Sequence, residues 1–344
     1  MSDKPIRVAC VGAGYFSQFH YNAWARMPGV EVVGAADFNL EAAKATGAPP
    51  FSSVTEMITA VQPDLLDIIV PPTGHAEIIR AAIEKGVGWI ICQKPFCLSI
   101  DEAEAVSAEA EAAGATLIVH ENFRFMPWYR RIKSAIDAGD IGHPMQASFR
   151  LRPGDGQGPS AYLDRQPYFQ EMPAFLIHET GVHWIDTFRY LFGNPIAVYA
   201  DLRRLNPVIA GEDAGVVLFD HPSGVRSVFD GNRHLDHAAD NLRRTMGEAL
   251  FEGTEGTLSL FGDGRVELRK FGTQTLSTLL SADRSDGFGG DCVYHLQAHV
   301  IAAMVEGTPV ENTAQDYCTV IRIRNAVYAS AQEGRKIHLG EAGQ

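Results

Sequence analysis

The hydrophobic period of this chain changes partway along, and that change constrains the fold more than any single motif. Over the first third, short apolar runs alternate with stretches of helical period. Residues 6–11, 30–36, 65–70, 89–92 and 115–120 read as buried strands. The stretch after Gly14, residues 39–45, 76–84 and 100–113 read as helices. Such alternation builds βαβ units, hence a parallel sheet with right-handed crossovers. From about residue 145 the strands follow one another directly: 145–151, 196–203, 215–220, 225–232, 249–253, 257–261 and 265–270. Tight turns such as His221-Pro222-Ser223-Gly224 and Gly262-Asp263-Gly264 join antiparallel neighbours. One helix, 179–191, interrupts them, and 295–305 and 314–333 return to helical period. The expected class is α/β: a doubly wound parallel sheet in residues 1–124, then an α+β domain with a large, mostly antiparallel sheet in 125–344. Residues 152–170, rich in Gly and Pro and without period, read as a loop over the cleft.

Composition removes several function classes. Hydrophobic residues at 46% and charged residues at 21% exclude disorder. A net charge of −13 with no basic run argues against nucleic acid or an anionic membrane as partner. No apolar run approaches the ~20 residues of a membrane helix. Met1-Ser2-Asp3-Lys4-Pro5 leads into a strand without the pattern of a signal peptide, so a cytoplasmic protein is expected. The five cysteines show no CxxC spacing and read as buried thiols in a reducing compartment. No histidine spacing points to a metal, and none is expected.

Gly12-Ala13-Gly14-Tyr15-Phe16-Ser17 follows a strand and opens a helix, the context that a dinucleotide fingerprint requires. Gly12 permits the turn, and Gly14 lets the backbone approach a pyrophosphate resting on the helix N-terminus. Ser17 stands where a third glycine is usual. A plain βα turn is the alternative, but Asp37 ends the next strand, 23 residues after Gly14. Its carboxylate would bind a ribose 2′-hydroxyl and repel a 2′-phosphate, which favours NAD over NADP.

Lys94, in Cys92-Gln93-Lys94-Pro95, lies at the carboxyl end of the fourth expected strand, where ligands of parallel sheets bind. Its ammonium could hold a hydroxyl and stabilise a developing alkoxide; a solvated surface lysine is the bland alternative. His178-Glu179-Thr180-Gly181-Val182-His183 superficially resembles a zinc motif, but its histidines are five apart, about 140° round a helix. Glu179 and His183, at i and i+4, share a face and suit general acid/base work, or else form a structural pair capping a helix.

Together these clusters resemble the glucose–fructose oxidoreductase/inositol dehydrogenase/rhizopine catabolism (Gfo/Idh/MocA) family. The resemblance rests on Gly12-Ala13-Gly14, Pro71-Pro72-Thr73-Gly74-His75, Gln93-Lys94-Pro95, His120-Glu121-Asn122-Phe123-Arg124-Phe125 and Glu179-x-Gly181-x-His183-x-x-Asp186. It implies a Rossmann domain, then a domain whose open-faced sheet forms dimers or tetramers. It implies NAD-dependent oxidation of a hydroxyl of a sugar, polyol or cyclitol. Lys94 would hydrogen-bond the reacting hydroxyl, His183 would take its proton, and Glu179 would bind substrate or tune His183. Gly12, Ala13, Gly14, Tyr15, Phe16, Asp37, Pro71, Thr73, His75, Gln93, Lys94 and Asn122 would line the cofactor. Two positions depart from the family pattern: Gln93 where Glu is usual, and Glu179 where Asp is usual. The segments around Gln93 and Asn122 are most similar to the D-apiose dehydrogenase subgroup.

Substrate contacts are sought among Arg152, Tyr168 and Gln170, just before the Glu179 helix, and at Trp128, whose ring could wall a sugar's C–H face; each has a structural alternative. Two other functions fit the same fold. One is an NAD-dependent glycoside hydrolase; the other is a non-catalytic NAD(H)-responsive binding protein, which would need neither Lys94 nor His183.

Overall fold

A computed structural model describes residues 4–283 and 287–340. The chain forms two compact units. The first runs to Asn122 and takes up Val293–Cys318; the second holds Phe123–Cys292 and the chain from Thr319 onward.

The first unit alternates β1 (Ile6–Val11), α1 (Ser17–Ala25), β2 (Val30–Ala36), α2 (Leu40–Ala45), β3 (Pro50–Phe51), α3 (Val54–Val61), β4 (Leu65–Ile68), α4 (His75–Glu84), β5 (Trp89–Gln93), α5 (Ile100–Ala112) and β6 (Thr116–His120). All its strands are parallel, in the order β3-β2-β1-β4-β5-β6. The order reverses between β1 and β4, the switch point where such sheets open a crevice at their carboxyl edge. Val8, Ala9, Cys10, Leu65, Leu66, Ile90, Ile91 and Cys92 are fully enclosed. Strands covered on both faces need such unbroken apolar runs. The caps are local: Asn39 accepts from Glu41 N and Ala42 N, Ser53 from Glu56 N, and Ser99 from Glu102 N.

The second unit contains α6 (Pro127–Asp137), β7 (Pro144–Leu151), α7 (Val182–Phe192), β8 (Ala197–Arg203), β9 (Ala214–Asp220), β10 (Arg226–Asn232), β11 (Gly247–Gly253), β12 (Gly256–Leu260), β13 (Val266–Lys270) and β14 (Leu276–Leu280). Helices α8 (Cys292–Glu306) and α9 (Ala314–Glu333) and the short β15 (Ile337–His338) complete the chain. The second sheet has nine strands, ordered β14-β13-β12-β11-β7-β10-β9-β8-β15. Its one parallel pair is β7 with β10; the remaining pairs are antiparallel. Inward side chains alternate along β9 to β11 and bury Val217, Phe219, Phe229 and Phe251. The expected loop 152–170 carries a small core of its own, Ala161, Tyr162 and Phe169 against Phe175 and Ile209.

Three local differences from the sequence reading have physical causes. The short β3 and helix α3 occupy residues 50–61, which the sequence reading left unassigned. The helix expected from Glu179 begins instead as a π-turn, Leu176–Gly181, and becomes α-helical only at Val182. Strand β14 is held by its pairing with β13, although it is half-exposed and lacks an alternating pattern.

Candidate active site

In the first unit, the carboxyl edge of the sheet gathers the fingerprint, Asp37, the Pro71 segment, Gln93–Lys94 and Asn122. Each follows or ends one of the parallel strands. Gly12 has φ +107°, and a Cβ there would sit 2.6 Å from the Ile69 carbonyl oxygen. Only glycine fits both the angle and the approach. A Cβ on Gly14 would meet nothing within 4 Å, so the turn presents open backbone. The N-terminus of α1 has no side-chain cap and no acidic residue in its first turn; Ser17 and Phe19 N–H donate to the Gly14 and Phe16 carbonyls at 3.2 Å, and the helix dipole there favours an anion.

Asp37 braces this turn. Its Oδ2 accepts from Ala13 N–H at 2.8 Å and its Oδ1 from Asn39 N–H at 2.8 Å. Ser17, at the third fingerprint position, donates its hydroxyl to the Gly14 carbonyl at 2.7 Å. Tyr15 is partly exposed, and Phe16 packs on Phe19 and His20. Pro71 and Thr73 are exposed in the turn before α4. His75 is fully buried: its Nε2 donates to the Val70 carbonyl at 2.9 Å, and burial pulls its pKa down to about 4. Gln93 Oε1 accepts from Lys94 N–H at 2.8 Å, while Gln93 Nε2 lies 3.0 Å from His20 Nε2. The Lys94–Pro95 bond is cis. Asn122 is buried just past β6.

In the second unit, the candidates lie on the π-turn and the first turn of α7. Such turns occur often at functional sites. Glu212 shapes this one by accepting from Phe175 N, Ile177 N and the Tyr328 hydroxyl. Arg233 donates to Thr180 Oγ1 at 2.8 Å, and Arg324 donates to His178 Nδ1 at 2.9 Å. Glu179 is partly exposed on the turn, whereas His183 is 6% exposed. The His183 ring lies flat on Phe123, centroids 3.7 Å apart and planes 4° apart. Phe123 is held there because its neighbour Arg124 makes a bidentate pair with Asp186 (2.8 and 2.5 Å) one turn below His183.

The four substrate candidates differ in environment. Tyr168 is 53% exposed; partial burial and the Glu179 carboxylate push its phenol up to about 12. Arg152 is buried and donates to the Asp230 carboxylate at 2.5 Å. Gln170 donates to the Pro159 and Ala161 carbonyls and ties the loop together. Trp128 is fully buried beside Gly264 and Gly290. Sequence reasoning gave no role to Phe123, Arg124, Asp186 or Glu212, because their partners lie far along the chain. It also passed over Phe38, whose wholly exposed ring follows Asp37. Among the described residues, no group of three or more His, Cys, Asp or Glu is placed to hold a metal, and no helix is long and apolar enough to cross a membrane.

A parallel sheet with a glycine turn, a carboxylate after its second strand and a lysine at its carboxyl edge has the form of a dinucleotide-binding domain. Residues 6–121 match the family described as "Oxidoreductase family, NAD-binding Rossmann fold", and 129–259 match the "GFO/IDH/MocA C-terminal domain". The chain belongs to the Gfo/Idh/MocA oxidoreductase family. It is 33% identical to a D-apiose dehydrogenase of Paraburkholderia graminis, across 98% of this chain and 90% of that protein. A D-apiose dehydrogenase of Rhizobium rhizogenes is 27% identical across 99% of both chains. Among solved structures, an oxidoreductase from Agrobacterium radiobacter in complex with NAD+, L-tartaric acid and magnesium superposes with a TM-score of 0.88 at 26% identity, covering 98% of this chain and 100% of that one.

Proposed function

We propose that this protein is an NAD-dependent dehydrogenase that oxidises a hydroxyl of a small sugar or polyol, with D-apiose the leading substrate. The observation that carries the reading is the full-length similarity to two D-apiose dehydrogenases in a chain that carries Lys94, His183 and, where Asp is usual, Glu179. The open backbone at Gly14 and the uncapped α1 fit a pyrophosphate, and Asp37 fits an unphosphorylated ribose. When bound, NAD supplies the hydride acceptor.

The residues divide the remaining work. Gly12, Ala13, Gly14, Tyr15 and Phe16 form the cradle, with Pro71, Thr73, His75 and Asn122 along the same edge. Lys94 donates a hydrogen bond to the reacting oxygen and stabilises the charge that grows there. His183 takes the hydroxyl proton during oxidation and returns it during reduction, its ring plane held by Phe123. Glu179 orients substrate, and Tyr168, beside it, offers a sugar-facing hydroxyl and ring edge. The homodimer or homotetramer that the family implies is supported by Tyr199 and Val216, apolar side chains exposed on one face of the second sheet.

NADH formation with NAD and a panel of D-apiose, other aldoses, inositols and sugar acids tests the reading. Turnover should be lost about 10²–10⁴-fold in Lys94→Ala and in His183→Ala. NAD binding without NADH from any sugar would favour the hydrolase or sensor function instead.

A further inference from the structure

His20, Asp67 and Gln93 form a buried chain that ends on the backbone of Lys94, and its hydrogens can be placed by logic. At one end, Asp67 Oδ2 accepts from Trp24 Nε1–H at 2.8 Å. Indole is a donor only, and Asp67 as the carboxylate is an acceptor only. His20 Nδ1, 2.8 Å from the same oxygen, must therefore carry a proton. At the other end, the Lys94 amide is also a donor only and lies 2.8 Å from the Gln93 side chain, so Gln93 must present its carbonyl oxygen there. That turns the Gln93 NH2 toward His20 Nε2 at 3.0 Å. Nε2 must then hold a lone pair. His20 and Asp67 have no exposure, and Gln93 has 8%. With Asp67 as the carboxylate, the chain has one consistent state: Asp67 accepting, His20 protonated on Nδ1 alone, Gln93 donating to His20 and accepting from Lys94.

We propose that His20, oriented by Asp67, is a positioning residue that fixes the Gln93 amide and through it the Lys94 backbone, and that this chain is why glutamine occupies position 93. A carboxylate there would face the His20 Nε2 lone pair with no hydrogen between them. Glutamate at 93 thus demands one further proton in the chain, on His20 Nε2 or on the new carboxyl. The proposal rests on the role given above to Lys94, and its test separates the two.

Long-range 1H–15N NMR of histidine rings in the full-length protein reads the chain directly. The signal lost in His20→Gln should be a ring protonated on Nδ1 and bare on Nε2. In Gln93→Glu the Nε2 signal of that ring should shift, through a proton on Nε2 or a hydrogen bond from a protonated carboxyl. A wild-type ring bare on Nδ1 or doubly protonated, or a ring indifferent to Gln93→Glu, overturns the chain. Amide hydrogen exchange at Lys94 reads the positioning. It should quicken about tenfold or more in His20→Leu and in Gln93→Leu. It should stay near wild type in His20→Gln, whose amide again offers one donor to Asp67 and one acceptor to Gln93. Equal quickening in His20→Gln and His20→Leu overturns the hydrogen-bond role in favour of packing. If these results hold while Lys94→Ala turns over sugar as the wild type does, the chain stands and the catalytic reading of Lys94 falls.

Discussion

The glycine turn after β1 and the Phe175–Asp186 segment are built on opposite principles. The first is made of backbone: a glycine at φ +107°, an open Gly14 and an α1 N-terminus without a side-chain cap, braced by one carboxylate. The second is made of side chains borrowed from remote positions. Arg124, Glu212, Arg233, Arg324 and Tyr328 each reach into it. A backbone site needs particular residues in one short stretch, whereas a side-chain site is assembled by the whole domain. Damage to the first should therefore be local, and damage to the second should spread.

The largest stability effect should come from the second site. Asp186→Ala removes the carboxylate that the buried Arg124 faces, and breaking such a pair costs about 3–5 kcal/mol. Urea unfolding should show that loss, along with a fall in kcat as Phe123 loosens from His183. A loss below about 1 kcal/mol would mean that the segment does not depend on its remote clamp.

A buried histidine in each unit has its pKa drawn down to about 4, His75 in the first and His221 in the second. Burial is the main cause in both. Above pH 6.5 neither the folded nor the unfolded state protonates these rings appreciably. As pH falls from 6.5 to 4 the unfolded chain takes up the protons first, so stability is lost across that window, by up to about 3 kcal/mol per histidine. His75→Gln and His221→Gln should each flatten the slope, and unfolding that reports each unit separately would show whether the losses stay in their own unit.

The smallest effects should come from the turn. Gly12→Ala should cost about 1–3 kcal/mol, from its positive φ and its clash with the Ile69 carbonyl. Gly14→Ala should leave thermal unfolding without cofactor within about 0.5 kcal/mol of wild type while weakening NAD binding in calorimetry. An equal loss of stability in both variants would mean that Gly14, like Gly12, is held by its backbone conformation.

The same contrast explains what the sequence disclosed. The parallel strands were legible because burial on both faces leaves unbroken apolar runs, and the turn because its chemistry is contiguous. Asp37 followed from its distance to Gly14. The π-turn was not legible: helical period runs through Glu179, and the acceptor that reshapes the segment, Glu212, lies more than thirty residues on. Helix α3 carried a signal in Ser53-Val54-Thr55-Glu56, a serine cap with glutamate three residues later. His20 was dismissed for lack of metal spacing, and its link to Gln93 spans 73 residues.

The route of the chain also sets an order in time. Asn312 accepts from Val119 N–H through its backbone and donates its side-chain amide to the Glu121 carbonyl, and Thr313 bridges to Ile118. These contacts finish the edge of the first sheet at β6, yet they are synthesised after every strand of the second sheet except β15. A ribosome making this protein therefore releases a nucleotide-binding unit that stays unfinished until some three hundred residues have emerged. The common rule that the N-terminal domain folds first is suspended here, and chaperones would meet both units incomplete at once.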